Sequence, residues 1–281
     1  MARIMLFGGR GYLGQHFSRA YPEAVLCPAD ISDRAAVRAY LIAYQPDIVL
    51  NCAGKTGRPN VDWCELHRPE TLRANVTGPL VLLEECLARG ARLVHLGSGC
   101  IYTGDNGGKG WSEDDPPNFF GSFYSRTKAW SDQVLRDFPV LNLRLRMPFD
   151  GTSSERSLII KLRNYTRVLT ERNSLTCIPD LVSAATRLIA DGAVGTFNIV
   201  NPGPMSPYEV MTRYRALVDP THRFEPLPAS QLGEVATTGR SNCVLNTDKL
   251  RAAGIVLPTA EEAVNRCLMQ LAGRASMRRS A

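Results

Sequence analysis

The sequence predicts an α/β fold, a doubly wound parallel sheet with a smaller C-terminal lobe. Three observations predict it. Short apolar runs alternate with longer amphipathic stretches through the first half of the chain. A glycine-rich turn follows the first of those runs directly and opens a helix-like stretch. After Pro148 the alternation loosens, so the second half reads as a smaller lobe woven into the end of the sheet.

In chain order, ARIMLF reads as a strand, GYLGQHFSRAY as a helix and EAVLCP as a strand. DRAAVRAYLIAY follows as a helix and DIVLNCA as a strand. PETLRANVTGPLVLLEECLARG reads as one long helix and RLVHLGS as a strand. NFFGSFYSRTKAWSDQVLRDF is predicted helical and VLNLRLRM extended. DIVLNCA and RLVHLGS are almost continuously apolar at their centres, as strands covered on both faces are. Beyond Pro148, ERSLIIKLRNYTRVL reads as a helix running into a strand, LVSAATRLIADG as a helix and TFNIVNP as a strand. SPYEVMTRYRALV and TAEEAVNRCLMQLAG are helices separated by a proline-rich, irregular stretch.

The 281 residues are 44% apolar and 21% charged, with a net charge of +6 spread along the chain. That balance suits a solvated surface and an anionic small molecule, and no dense basic run points to nucleic acid. No apolar run reaches the roughly 18 residues that a membrane span needs. The eight cysteines form no C-x-x-C pair, and no His/Cys group has zinc-ligand spacing, so no metal is expected. Several cysteines lie inside apolar runs, which predicts a reduced, cytoplasmic setting.

Gly8, Gly11 and Gly14 give the spacing G-x-x-G-x-x-G between strand and helix. Glycines let the backbone approach a pyrophosphate, and the helix N-terminus at Tyr12 and Leu13 offers unpaired N–H groups. This predicts a Rossmann-type dinucleotide site. Arg10, inside the turn, suits a 2′-phosphate and so favours NADPH, with NADH as the alternative. Asp30 and Ile31 are placed to meet the adenine, and Cys52, Ala53 and Gly54 to let the cofactor lie close. The dinucleotide-binding domain is expected at 1–147 plus about 173–201, and a substrate-binding lobe at about 148–172 and 202–281.

Tyr124 and Lys128 stand four apart on a predicted helix, which puts both on one face. A nearby ammonium would stabilise a phenolate, and Ser98 at a strand end would orient a carbonyl. These residues suit hydride transfer to a ketone with Tyr124 as proton donor. Thr56, Arg58 and Asn60 lie in a loop after a strand end, where such sheets bind ligand. Arg240 suits a bidentate grip on a pyrophosphate. Asp62, Trp63 and Cys64 are expected to lock their loop, Asn164 and Asn173 are weaker candidates for sugar hydroxyls, and the four histidines have no visible partner.

The glycine turn, the N-x-A-G end at Asn51 to Gly54, Asn75 in ANVTG, Ser98 and the Tyr124/Lys128 pair resemble the extended short-chain dehydrogenase/reductases. Across nearly the whole chain, AGKTGRPNVDWCE, SGCIY, PNFFGSFYSRTKA, LRLRMP, NPG and RSN resemble the nucleotide-rhamnose synthase/epimerase-reductases. That resemblance implies 3,5-epimerisation of a UDP- or dTDP-4-keto-6-deoxyglucose followed by reduction at C4. It implies Cys100 as the base and Lys161 as the second epimerisation residue, with Asn75 at the cofactor and a homodimer admissible. Lys55 departs from the family's small apolar residue, and the segment between Tyr102 and Pro116 is shorter than in plant members. A reductase alone, similar to dTDP-4-dehydrorhamnose reductase, and a non-catalytic NADP-binding sensor or subunit remain the alternative readings.

Overall fold

The computed structural model describes residues 2–279. The first half follows the predicted order with one added helix, α3: β1 (Ile4–Phe7), α1 (Tyr12–Ala20), β2 (Val25–Cys27), α2 (Arg34–Tyr44), β3 (Ile48–Asn51), α3 (Asp62–Leu66), α4 (Arg68–Leu72), α5 (Gly78–Leu87), β4 (Arg92–Ser98), α6 (Phe123–Leu135) and β5 (Leu141–Leu145). The second half supplies β6 (Pro148–Phe149), α7 (Leu158–Arg163), β7 (Arg167–Leu169), β8 (Asn173–Cys177), α8 (Ile178–Ala190), β9 (Gly195–Asn198), β10 (Asn201–Met205), α9 (Pro207–Leu217), β11 (Glu225–Leu227), α10 (Asp248–Ala252) and α11 (Ala260–Arg279).

The large sheet runs β2-β1-β3-β4-β5-β9 with every pair parallel. Alternate residues of one strand feed opposite cores: Ile4 and Leu6 join Phe17, Leu181 and Phe197, whereas Met5 and Phe7 join Val37, Leu41 and Leu82. This double burial is why the strands read as unbroken apolar runs. The chain reverses its direction of travel across the sheet between β1 and β3. Ligands of such sheets bind outside the strand ends at that reversal. The glycine turn, the loop after β3 and Ser98 all lie along this edge.

A second core gathers Phe149, Ile160, Leu175, Met205, Val210, Val264 and Leu268 around the three-stranded sheet β10-β8-β6. Between its parts the chain returns to the large sheet with α8 and β9. TFNIVNP, predicted as one strand, divides here: β9 joins the large sheet and β10 the small one. The short strands β6, β8 and β11 and the helices α3 and α10 escaped the sequence reading. Strands of two to five residues carry little periodicity.

Two further departures position the site. The long helix predicted from Pro69 is interrupted by a π turn at Arg73–Thr77, closed by Gly78 N–H on Arg73 O. Pro79 explains it: proline has no N–H for the carbonyl of Asn75, and its ring crowds that carbonyl. The widened turn relieves the conflict. Helix α6 starts at Phe123 rather than at Asn118, because the Ser122 side chain caps it by accepting from Ser125 N–H (3.1 Å). The preceding Asn118 and Phe119 donate their N–H groups to Ile101 O instead.

Candidate active site

The turn after β1 is packed as tightly as backbone allows. Gly8 has φ +74°, and a Cβ there would stand 2.5 Å from Ala53 N. A Cβ on Gly14 would stand 2.1 Å from Gly8 O, so helix and turn touch without side chains between them. Gly11 donates to Gly8 O at 2.9 Å and begins α1 with no side-chain cap. The first-turn N–H groups of α1 therefore remain for an anion, and this cradle fits a dinucleotide pyrophosphate. Arg10 is exposed beside it, and Leu13 packs against the core.

The flanking residues divide between binding surface and support. Exposed Asp30 accepts from both the backbone and the hydroxyl of Ser32, which hold its carboxyl below the usual range. Ile31 is core, wedged where a Cβ on Gly78 would meet it, so only its backbone can serve the predicted adenine contact. Tyr12 sets its ring edge-on to His16 and beside Asp150 and Ser157, where burial pushes its phenol pKa up. His16, without a visible partner in the sequence, bonds Asp150 at 3.0 Å and ties α1 to the second lobe. Cys52 is packed against the core, and burial pushes its thiol pKa up.

Asn75 is fixed by the π turn and clamps the loop after β3. Its Oδ1 accepts from Lys55 N–H (2.8 Å), and its Nδ2 donates to Lys55 O (2.9 Å) and to Thr127 Oγ1 (3.2 Å) on α6. The residue predicted to meet the cofactor thus joins the strand end beside Gly54 to the helix carrying Tyr124.

Along α6, Tyr124 and Lys128 are both buried. The Tyr124 hydroxyl donates to Ser98 Oγ at 3.4 Å, and the same Oγ accepts from Cys100 N–H at 3.1 Å. Burial above all, then the neighbouring Cys100, raises the phenol pKa, so Tyr124 holds its proton. The sequence predicts that Lys128 pulls that pKa down; burial instead raises it, against the lowering pulls of Ser98 and Arg146. Lys128 Nζ lies 3.1 Å from both Leu96 O and His95 Nε2, and burial pushes its own pKa down to about 8. His95, also unpartnered in the sequence, is held by Asn51 at 3.0 Å on its other nitrogen. Burial and the Lys128 charge keep it neutral.

Beyond Ser98 the surroundings become cationic. Arg146 Nη1 lies 2.8 Å from Cys100 Sγ, and Nη2 bonds Asn173 Oδ1 at 2.6 Å and Ser241 O. Arg156 donates to Thr56 Oγ1 (2.6 Å) and Gly57 O (3.0 Å), bridging the loop after β3 to the segment before α7. Lys161, half-buried on α7, has its pKa pushed down to about 8 by burial, then by Arg156 and exposed Arg58. The loop cations and Lys161 therefore stand within range of one another's charge.

Some predicted residues serve the scaffold. Arg240 closes both Nη atoms on Asp62 (2.8 and 2.9 Å), so the fork expected for a pyrophosphate already holds a carboxylate. Asn60 caps its own turn by accepting from Asp62 N–H (2.8 Å). Trp63 stacks on His67 with centroids 3.9 Å apart, and Cys64 is buried. Asn173 is fully buried and turned to Arg146, which removes it as a sugar contact. The sequence reading missed Arg146, Arg156 and His95. The only signal for the first was its place in the LRLRMP block.

Comparison with known proteins agrees with this architecture. The family profile described as RmlD substrate binding domain matches residues 2–272. A bifunctional dTDP-4-dehydrorhamnose 3,5-epimerase/dTDP-4-dehydrorhamnose reductase of Arabidopsis thaliana is 34% identical over 265 residues, 88% of this chain and 86% of that protein. The crystal structure of the L780 UDP-rhamnose synthase from Acanthamoeba polyphaga mimivirus superposes with a TM-score of 0.91 at 31% identity, covering 96% of this chain and 99% of that one. A dTDP-4-dehydrorhamnose reductase from Bacillus anthracis, solved with NADP, shares the fold at 20% identity and a TM-score of 0.79 over 96% of this chain and 98% of that one. By the match to its family and to these relatives, the chain belongs to the RmlD substrate binding domain family.

Proposed function

We propose that this protein is an NADPH-dependent reductase of a nucleotide-linked 4-keto-6-deoxy sugar that also epimerises C3 and C5 of that sugar, yielding the L-rhamnose nucleotide. The observation that carries the reading is the shared hydroxyl of Ser98. It touches the Tyr124 phenol on one side and the Cys100 backbone on the other. The acid and the backbone of the thiol-bearing residue thereby meet at one hydroxyl, beside which a ketone oxygen can be held.

The glycine turn and α1 N-terminus would hold the pyrophosphate, with Arg10 toward a 2′-phosphate and Ala53, Gly54 and Asp30 along the adenosine side. When bound, the nicotinamide supplies a hydride to C4. Tyr124 gives its proton to the C4 oxygen, completing the hydroxyl, while Ser98 orients that oxygen. Lys128, one helical turn along α6 and anchored by His95 and Leu96, supplies a buried cation on the phenol's face of the helix. Protons at C3 and C5 are acidified by the ketone between them. Cys100 removes one and Lys161 returns one on the opposite face. Thr56 and Arg58 line the approach for the nucleotide sugar.

The bifunctional and synthase relatives support the epimerase half, and the reductase relatives support C4 reduction. Among the described residues no helix is long and apolar enough to cross a membrane, and we place the reaction in the cytoplasm. The test is NADPH oxidation with UDP- and dTDP-4-keto-6-deoxyglucose side by side. Turnover of either to a rhamnose nucleotide supports the reading. NADPH binding without turnover of either contradicts it.

A further inference from the structure

Two arginines leave β5 two residues apart, and both are buried. Arg144 is fully covered and gripped by Asp132 at 2.9 Å (Nε) and 2.6 Å (Nη2), with its guanidinium 5.4 Å from the Tyr102 ring centroid. Its charge is neutralised by a buried carboxylate. Arg146 is only 5% exposed, yet among the described residues no carboxylate pairs with it. An unpaired buried cation is costly to maintain.

The contacts of the Arg146 guanidinium are a neutral amide, a backbone carbonyl and two thiols, Cys100 and Cys243. Asn173 Oδ1 and Ser241 O hold Nη2, and Asn173 is itself pinned by Cys243 N–H at 3.0 Å. That leaves Nη1 facing Cys100 Sγ at 2.8 Å. The second nearby thiol, Cys243, is fully buried and donates to Gly99 O at 3.2 Å, so its proton is engaged. Cys100 is the partly exposed member of the two. The backbone adds a third observation. Met147, next in the chain, has φ +44°, a conformation a long side chain adopts at a cost. This bend turns the chain out of β5 toward β6 with Arg146 at the corner.

We propose that Arg146 is the positioning residue of Cys100: its guanidinium aims the sulfur and supplies the positive charge against which that sulfur gives up its proton. The role rests on the reading of Cys100 as the group that takes a proton from the sugar. The sulfur alternates between thiolate, paired with Arg146, and thiol, after it takes the C3 or C5 proton. No electrons are exchanged.

The test uses the full chain and reads the sulfur directly. Alkylation of Cys100 by iodoacetamide is followed by peptide mass spectrometry across pH 6 to 10, with Cys100→Ser as blank. In Arg146→Gln the midpoint of the rate profile is expected to rise by about one pH unit or more, about tenfold slower labelling at pH 7. Arg146→Lys, which keeps charge but loses the fork, is expected to restore part of that shift. Asn173→Asp is the second variant. It leaves Arg146 in place but offers its charge a carboxylate, and it too is expected to raise the midpoint. Deuterium exchange into the keto-sugar is expected to lose kcat rather than gain KM in both neutralising variants. Unchanged labelling profiles in folded Arg146→Gln and Asn173→Asp would overturn the proposal. Loss of exchange in Cys100→Ala is judged separately: its absence removes the epimerase reading, whereas the labelling profile still decides whether Arg146 governs the sulfur.

Discussion

The two ends of the candidate site are built on opposite electrostatic plans. Around Tyr124 burial dominates: a neutral His95, a desolvated Lys128 near 8 and a phenol whose pKa is raised. Around Cys100 and Lys161 stand Arg146, Arg156 and Arg58. The first end keeps a proton on oxygen until a ketone is reduced. On the proposed function, the second would meet the negative charge of a sugar carbon that has lost its proton. On that reading one site serves both chemistries with its arginines gathered beyond Ser98.

Separating the two ends by mutation is the hardest way to break this comparison. Tyr124→Phe is expected to lower reduction by roughly 10²- to 10⁴-fold. Deuterium exchange into the keto-sugar should persist, as read by NADPH oxidation and by mass spectrometry of the sugar. Equal loss of both would mean that the ends are one catalytic unit.

Next in size is the control between the neighbouring arginines. Asp132→Ala strands the Arg144 charge in the core and is expected to cost about 3–5 kcal/mol in urea denaturation. Arg146→Gln orphans no carboxylate and should cost clearly less. A similar loss in both would place Arg146 in the scaffold and not in the cationic end.

The third prediction concerns pH. Lys161 near 8 is mostly protonated at pH 7, so exchange limited by its proton donation should fall as pH rises through about 8. Removing a neighbouring cation favours the charged ammonium. Arg156→Gln should therefore move that fall upward, by less than about one unit. Fall-off at the same pH in both proteins would detach Lys161 from the loop cations.

The smallest effect tests the clamp beneath both ends. Thr127→Val removes one of the two Asn75 Nδ2 contacts and is expected to lower stability by about 1 kcal/mol. A neutral result would make the link between the β3 loop and α6 incidental.

Much of the proton-donor end was legible in the sequence because its signals are local. The glycine spacing, the four-residue step from Tyr124 to Lys128 and Ser98 at a strand end all lie within one element or at its boundary. At the cationic end Cys100 and Lys161 were legible through resemblance and Arg58 through its loop, but Arg146 and Arg156 were not. Arg146 meets Cys100 across 46 residues and Arg156 meets Thr56 across 100. Nothing near either arginine marks it as buried. Arg240 looked free for a phosphate because its carboxylate partner stands 178 residues away. The π turn at Asn75 was hidden inside a helical pattern, although Pro79 was its visible cause. The second sheet was missed because its strands are too short to show a period.

The central claim is that thiol and phenol serve one ketone. It is tested most directly by incubating wild type and Cys100→Ala with the 4-keto-6-deoxy sugar nucleotide in heavy water, without NADPH. The account predicts deuterium at C3 and C5 with wild type and none above background with Cys100→Ala. Exchange at the wild-type rate in Cys100→Ala, or no exchange in either protein, would contradict it.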